Sequence, residues 1–237
     1  MKTKRIMKEL QGILEDAKVE KGAYFTHMSK NCPESGIPQR SYYIPKEGEN
    51  DFLTAVCNAV RMGVPLSITE RRGEYAPLLV DFDFQATLDA DVVRQYTRDD
   101  VKKLVKFYQD EIRNVVDSDK FREDMLICIV LEKEKPRVET DIVKDGFHFH
   151  FPNFICSGPL QDHYLRDKVT AKIIESKLLS KTKITTKPSK FIDERMATKV
   201  WMMYGSMNGR LEQRFAKRGR KQVVVFFGVP HGSVVFQ

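Results

Sequence analysis

Residues 78–84 read LLVDFDF (Leu78-Leu79-Val80-Asp81-Phe82-Asp83-Phe84), and the reading of this stretch decides the fold. On a strand alternate side chains share a face, so Val80, Phe82 and Phe84 point one way and Asp81 and Asp83 the other. The apolar approach PLLV (Pro77 to Val80) predicts a central strand whose polar face lines a cleft. Two carboxylates side by side at a strand end repel each other unless something positive sits between them. A hard cation such as Mg2+ or Mn2+ is the natural solution, since such ions take carboxylate oxygens. A pair of solvent-facing aspartates on an amphipathic strand is the plain alternative.

Working outward, PLSITE and APLLVDFDF read as a hairpin joined by RRGEY, which brings Arg71 and Arg72 to one end of the later strand. Upstream, Ile6, Met7, Leu10, Ile13, Leu14 and Ala17 fall at helical spacing, and a strand is predicted around residues 40–44. A second helix fits Asp51 to Met62, with Phe52, Leu53, Val56, Cys57 and Val60 inward and Gly63 as the stop. Downstream, Thr97 caps a helix running to about Val116. MLICIVLE and part of VKDGFHFHFPNF read as strands, and Pro159 opens a helix reaching about Leu179. KVWMMYGSMN and the strand VVVFF close the chain. Helices and strands alternate, so the class is α/β or α+β.

Composition agrees with a folded enzyme-sized domain. The 237 residues are 41% hydrophobic, enough for a sizeable core. One large domain or two packed lobes fit this length, the lobes dividing at about 1–64 and 65–237. No apolar run is long enough to span a membrane. The four cysteines stand far apart without a CxxC pair, so no structural zinc site is expected, and Cys57 and Cys128 read as core residues. No GxxxxGK[ST] motif occurs, which excludes a P-loop ATPase within these residues.

Three further segments bear chemistry. In KDGFHFHFP (residues 144–152) alternation puts Phe147, Phe149 and Phe151 in the core and His148 and His150 opposite. A histidine near Lys144 could donate to a triphosphate, join a metal site, or simply be a polar strand residue. In FIDERMATKVWMMYGSMN (residues 191–208), Asp193 could supply a third carboxylate, and Ser206 with the backbone at Gly205 could bond phosphate oxygens. The formal charge is +7, and its distribution matters more than its sum. The stretch RLEQRFAKRGRK carries Arg210, Arg214, Lys217, Arg218, Arg220 and Lys221 against Glu212 alone, and KTKITTKPSK at Lys181 to Lys190 is a second basic segment. Either is a solvated surface by itself. Beside a metal site, phosphate contact is the better reading. Three carboxylates, a histidine and several cations fit two-metal phosphoryl transfer.

In order and company these segments resemble the archaeo-eukaryotic primase superfamily. Its pattern is an acidic pair after a hydrophobic strand, a small residue two before a histidine, and a hydrophobic residue before a third aspartate. Here these are LLVDFDF, Gly146-Phe147-His148, and Phe191-Ile192-Asp193. The likeness is strongest to primase domains of primase-helicases from large nucleocytoplasmic DNA viruses, which carry a similar YGS segment, and it covers about residues 65–210. The resemblance implies a catalytic core with an RRM-like sheet packed against an α/β unit. It implies Mg2+ or Mn2+ at Asp81, Asp83 and Asp193, with His148 at the phosphates of the incoming nucleotide. Viral relatives tend to have a lysine after the GS pair, where Met207 and Asn208 stand here; Asn208, Lys144, Arg71 or Arg72 would then serve the nucleotide. The implied partners are a single-stranded DNA template, NTPs or dNTPs, and a hexameric helicase further along the same polypeptide or in a partner chain. The implied setting is a viral replication site in the host cytoplasm or nucleus. The activity expected is primer synthesis. A primase-polymerase extending with dNTPs, a metal-dependent nuclease and an inactive single-strand-binding module are the competing readings.

Overall fold

The structure, a computed structural model, describes residues 2–88, 92–133, 135–203, 205–206 and 223–227. It divides into two compact units. One holds the described residues of 2–72 and 198–206, the other those of 73–197 and 223–227.

In the first unit, the 3.6-residue spacing of Ile6, Leu10 and Leu14 makes α1 (Lys2–Asp16) amphipathic. It packs on α2 (Glu49–Arg61). Helix α2 buries Phe52, Ala55, Val56 and Ala59. Leu53 and Cys57 were expected inward, yet both are exposed. The helix is phased on small alanines at 55 and 59, which let it approach closely and rotate Leu53 and Cys57 to solvent. Four short antiparallel strands form the sheet in the order β2 (Ser41–Tyr42), β1 (His27–Ser29), β3 (Ile68–Arg71), β8 (Val200–Met202). The expected hairpin does not form: both edges of β3 are taken by β1 and β8, so it has no ladder left to offer β4 (Tyr75–Thr87), which belongs to a different sheet.

The second unit is built on that sheet, with order β4, β7 (Ile142–Ser157), β5 (Cys128–Glu132), β9 (Val223–Phe227), and β6 (Arg137–Glu139) paired to β7. All pairings are antiparallel. The run β4–α3–β5–β7–α4 has the βαββα order of a split βαβ unit. Helix α3 (Arg98–Val115) starts at a capping box in which Thr97 and Asp100 satisfy each other's amides. Its Val101, Leu104, Val105, Tyr108 and Ile112 make one apolar stripe against the sheet. The segment after Pro159 opens as a π-helix (Leu160–Leu165) before α4 (Arg166–Glu175), so the regular helix is shorter than its apolar pattern suggests. The π-turn turns Gln161 toward β4, where its side-chain oxygen accepts the Leu79 amide at 3.2 Å, next to the β-bulge at Pro77/Leu78. On the helix-facing side the strands contribute a continuous aromatic ladder. Phe82 sits 4.8 Å from Phe147 and 5.0 Å from Phe149, and Tyr96 4.9 Å from Phe147.

One buried titratable group in the first unit has a consequence for stability. His27 is buried against the Phe52 ring, 4.7 Å between centroids, with Nδ1 3.0 Å from Thr26 Oγ1. Burial lowers its pKa to about 4, while an unfolded histidine titrates near 6.5. The unfolded chain therefore binds the proton first. Stability is full above about pH 6.5 and falls as the pH drops toward 4, by on the order of 2–3 kcal/mol. His27→Phe is expected to keep more of its neutral-pH stability across that window, measured by thermal unfolding between pH 7 and 4.5. An equal loss in the variant would assign the acid sensitivity to other groups.

Candidate active site

The face of the second sheet opposite the aromatic ladder carries the polar residues. Register pairs Asp81 with His148, Asp83 with Gly146, Gln85 with Lys144 and Leu79 with His150. The alternation predicted for both strands is thus present, and cross-strand pairing joins two motifs that lie 67 positions apart. His148 Nε2 stands 3.2 Å from Asp81 Oδ1. That oxygen is buried and, lacking the alignment, makes no hydrogen bond. A buried carboxylate oxygen without a hydrogen-bond donor is costly, and a hard cation is the partner that suits it.

Asp193 arrives by a different route. The segment after α4 runs along the outer edge of β4: Ile184 bridges to Ala86 and Ile192 to Phe82. The Thr185 amide donates to Gln85 O at 2.8 Å, the Asp83 amide to Phe191 O at 3.1 Å, and the Asp193 amide to Asp81 O at 3.0 Å. Phe191 fills the core against Phe84, with centroids 5.0 Å apart, and thereby anchors the turn. Arg166 pins the same segment, donating to Ile192 O and Ser189 O, each at 3.3 Å, and pairing with Glu194 at 3.3 Å. Asp162 accepts the Ala197 amide at 3.1 Å. The third aspartate is therefore placed by main-chain bonds and two side-chain clamps.

Asp83 has its Oδ1 3.8 Å from Lys133 Nζ at the end of β5. Its carboxyl is held above the usual carboxylate range, first by loss of hydration, then by the charge of Asp81, with Lys133 and His148 opposing and Asp193 adding a little. The side chain still reaches solvent, so the repulsion from Asp81 is the contribution a bound cation would remove. As placed, no three His, Cys, Asp or Glu side chains among the described residues converge tightly enough to hold a metal ion. The residues whose chemistry could hold one are Asp81 and Asp83 on β4 and Asp193, whose amide is bonded to Asp81 O.

Lys144 lies on this face and pairs with Glu139 at 2.6 Å. Arg72 and Ser206 belong to the first unit. There Ser206 Oγ accepts the Ile68 amide at 3.1 Å. Gly205, at φ 79°, lies so close to α2 that a Cβ would be 2.6 Å from both Val60 methyls. Asn208, Arg210, Arg214, Lys217, Arg218, Arg220 and Lys221 lie outside the described residues.

Sequence reasoning missed Lys133 and a buried ion cluster behind it. Arg94 Nε bonds Asp145 Oδ2 at 2.9 Å, Nη1 lies 3.4 Å from Glu132 Oε2, and Nη2 donates to Lys133 O. Burial raises the Glu132 carboxyl, Asp145 adding and Arg94 opposing. The charged ends of MLICIVLEK and VKDG were visible signals; Arg94, in a loop, had none.

Gly146 explains the small residue two before the histidine. A Cβ there would stand 2.0 Å from Phe82 O on β4, so only glycine lets the strands meet between the two aspartates. Gly146→Ala is expected to cost about 1–3 kcal/mol or more by overpacking, read by denaturant unfolding. Wild-type stability in that variant would show that the strands need not approach so closely.

Residues 26–215 match the family described as the C962R protein N-terminal AEP domain. The chain is 30% identical over 200 residues to "Putative helicase 121R" of Invertebrate iridescent virus 3, covering 75% of this chain and 21% of that protein. It is 28% identical over 190 residues to "Putative helicase L207/L206" of Acanthamoeba polyphaga mimivirus, covering 80% and 19%. To "Putative helicase 184R" of Invertebrate iridescent virus 6 it is 27% identical over 225 residues, covering 88% and 22%. The chain thus spans about a fifth of the length of these relatives. Among the described residues no helix is long and apolar enough to cross a membrane.

Proposed function

Because this chain belongs to the archaeo-eukaryotic primase family, as an N-terminal AEP domain of the C962R kind, we propose that it is the catalytic domain of a DNA primase. It joins nucleoside triphosphates into short primers on a single-stranded DNA template. The observation that carries this reading is Asp81, whose buried, unbonded oxygen faces His148 while its carbonyl receives the Asp193 amide. That arrangement suits a cation held between carboxylates, with a donor beside it for phosphate oxygens. Mg2+ or Mn2+ held by Asp81, Asp83 and Asp193 would activate a 3′-hydroxyl and neutralise charge at phosphorus.

The chain's own groups then have separable tasks. Asp81 and Asp83 set the spacing of the negative charge on one strand, and Asp193 closes it from the sheet edge. His148 donates from Nε2 to the triphosphate. Lys144 and Lys133 flank it as cations that can exchange a carboxylate partner for a phosphate. The relatives named as putative helicases, and the small share of them that this chain matches, support a primase domain working within a longer, helicase-bearing viral replication protein.

The test is primer synthesis on single-stranded DNA with labelled ribo- and deoxynucleotides, in Mg2+ or Mn2+ and after chelation. Asp81→Asn and Asp193→Ala are each expected to lose roughly 10³-fold in rate, equivalent to about 4 kcal/mol of transition-state stabilisation. His148→Ala should raise KM for the triphosphate more than it lowers kcat. Products that persist in Asp81→Asn would overturn the assignment. DNA binding without synthesis, indifferent to metal, would favour a binding module.

A further inference from the structure

One basic stretch of the second unit has no role in the arrangement above. Between Glu175 and Asp193 the chain carries five lysines, Lys177, Lys181, Lys183, Lys187 and Lys190, and no acidic residue. All five are exposed. The fold enforces this orientation around residues 181–187. Thr182 turns its hydroxyl in to Leu179 O at 2.7 Å, Ile184 packs against the core, and Thr186 Oγ1 accepts the Gln85 amide at 2.8 Å. The side chains between them, Lys181, Lys183, Thr185 and Lys187, face solvent in alternation. The backbone is meanwhile fixed: Thr185 is bonded to Gln85, and the Lys183 amide donates to Gln95 Oε1 at 3.2 Å. This is a row of lysines on a segment bonded to the edge of β4, and it leads on to Asp193 and the carbonyl of Asp81.

A run of like charges repels itself and is relieved by a polyanion. The chemistry of the row narrows the class. From Lys181 to Lys190 the only apolar side chains are Ile184, turned inward, and Pro188, so the row offers no anchor for a lipid surface and no apolar centre for a protein interface. It holds no aromatic residue on which bases could stack. What remains is charge aligned along an extended segment, which matches the phosphates of one nucleic-acid strand read without regard to sequence.

We propose that Lys181, Lys183 and Lys187 form the track that holds the phosphate backbone of the single strand entering the site. The proposal rests on the primase reading, since it names where that strand lies. It is tested by the salt dependence of oligo-deoxythymidine binding, followed by fluorescence anisotropy, for the whole chain and for Lys181→Ser/Lys183→Ser/Lys187→Ser. Each lysine removed from phosphate contact reduces the slope of log K against log salt by about 0.7 for a single strand. The triple variant is therefore expected to show a slope shallower by about 2, with unchanged thermal unfolding and unchanged Mn2+-dependent binding of free triphosphate. Lys102→Ser/Lys106→Ser on α3, where the lysines pair with Asp99 and Asp110, should match the wild type. An unchanged slope in the triple variant overturns the track while leaving the primase reading intact. An equal loss of free-triphosphate binding would also overturn it, by placing the row in the nucleotide subsite. Absence of any oligonucleotide binding by the wild type would overturn both.

Discussion

Everything in the second unit depends on how closely β4 and β7 approach each other. Gly146 has no side chain, so Phe82 O can lie where a Cβ would otherwise stand, and that approach sets Asp81 opposite His148. The two faces of the pair then oppose one another energetically. One face gathers Phe82, Phe84, Phe147, Phe149 and Phe151, each buried and each contributing about 2 kcal/mol. The other holds two carboxylates two residues apart, whose repulsion is roughly 2–3 kcal/mol at an effective dielectric near 20. The aromatic face outweighs the acidic one severalfold. Carboxylates that would otherwise push the strand apart are therefore held in place before any cation arrives.

Two arginines brace the surroundings of this pair. Arg94 sits at the end of β5, near the start of β7, satisfying Asp145 and Glu132 and capping the carbonyl of Lys133. Buried carboxylates are tolerated only when paired in this way. Arg166, at the start of α4, ties down the carbonyls of Ser189 and Ile192, both just ahead of the third aspartate.

The parts of this arrangement legible in the sequence were those with a local period. Alternation in LLVDFDF and GFHFHF assigned every side chain to its proper face, and the Thr97–Asp100 box marked the start of α3. What escaped was set by distant partners. PLSITE and APLLVDFDF carry hairpin chemistry, yet β3 finds both its partners elsewhere, in β1 and β8. Leu53 and Cys57 have core composition, but the alanines of α2 fix its phase. Asp193 was recognisable through its resemblance to a family pattern. Its delivery by an irregular segment bonded to β4 has no period to read, because no regular strand is formed there. Ser206 and Gly205 read as phosphate-binding loop residues by their chemistry; their bond to the Ile68 amide and close approach to Val60 depend on partners far away in the chain.

The delivery of Asp193 also governs when the acidic face comes into being. Its partner on β4 lies 112 residues earlier, so the bond between them closes a loop that contains α3, β5, β7 and α4. Closing so long a loop is entropically slow and contributes nothing until its ends meet. A nascent or partly unfolded chain therefore displays at most a bare acidic pair. The complete set of three exists only in the finished unit, which ties the acidic face to the completion of folding.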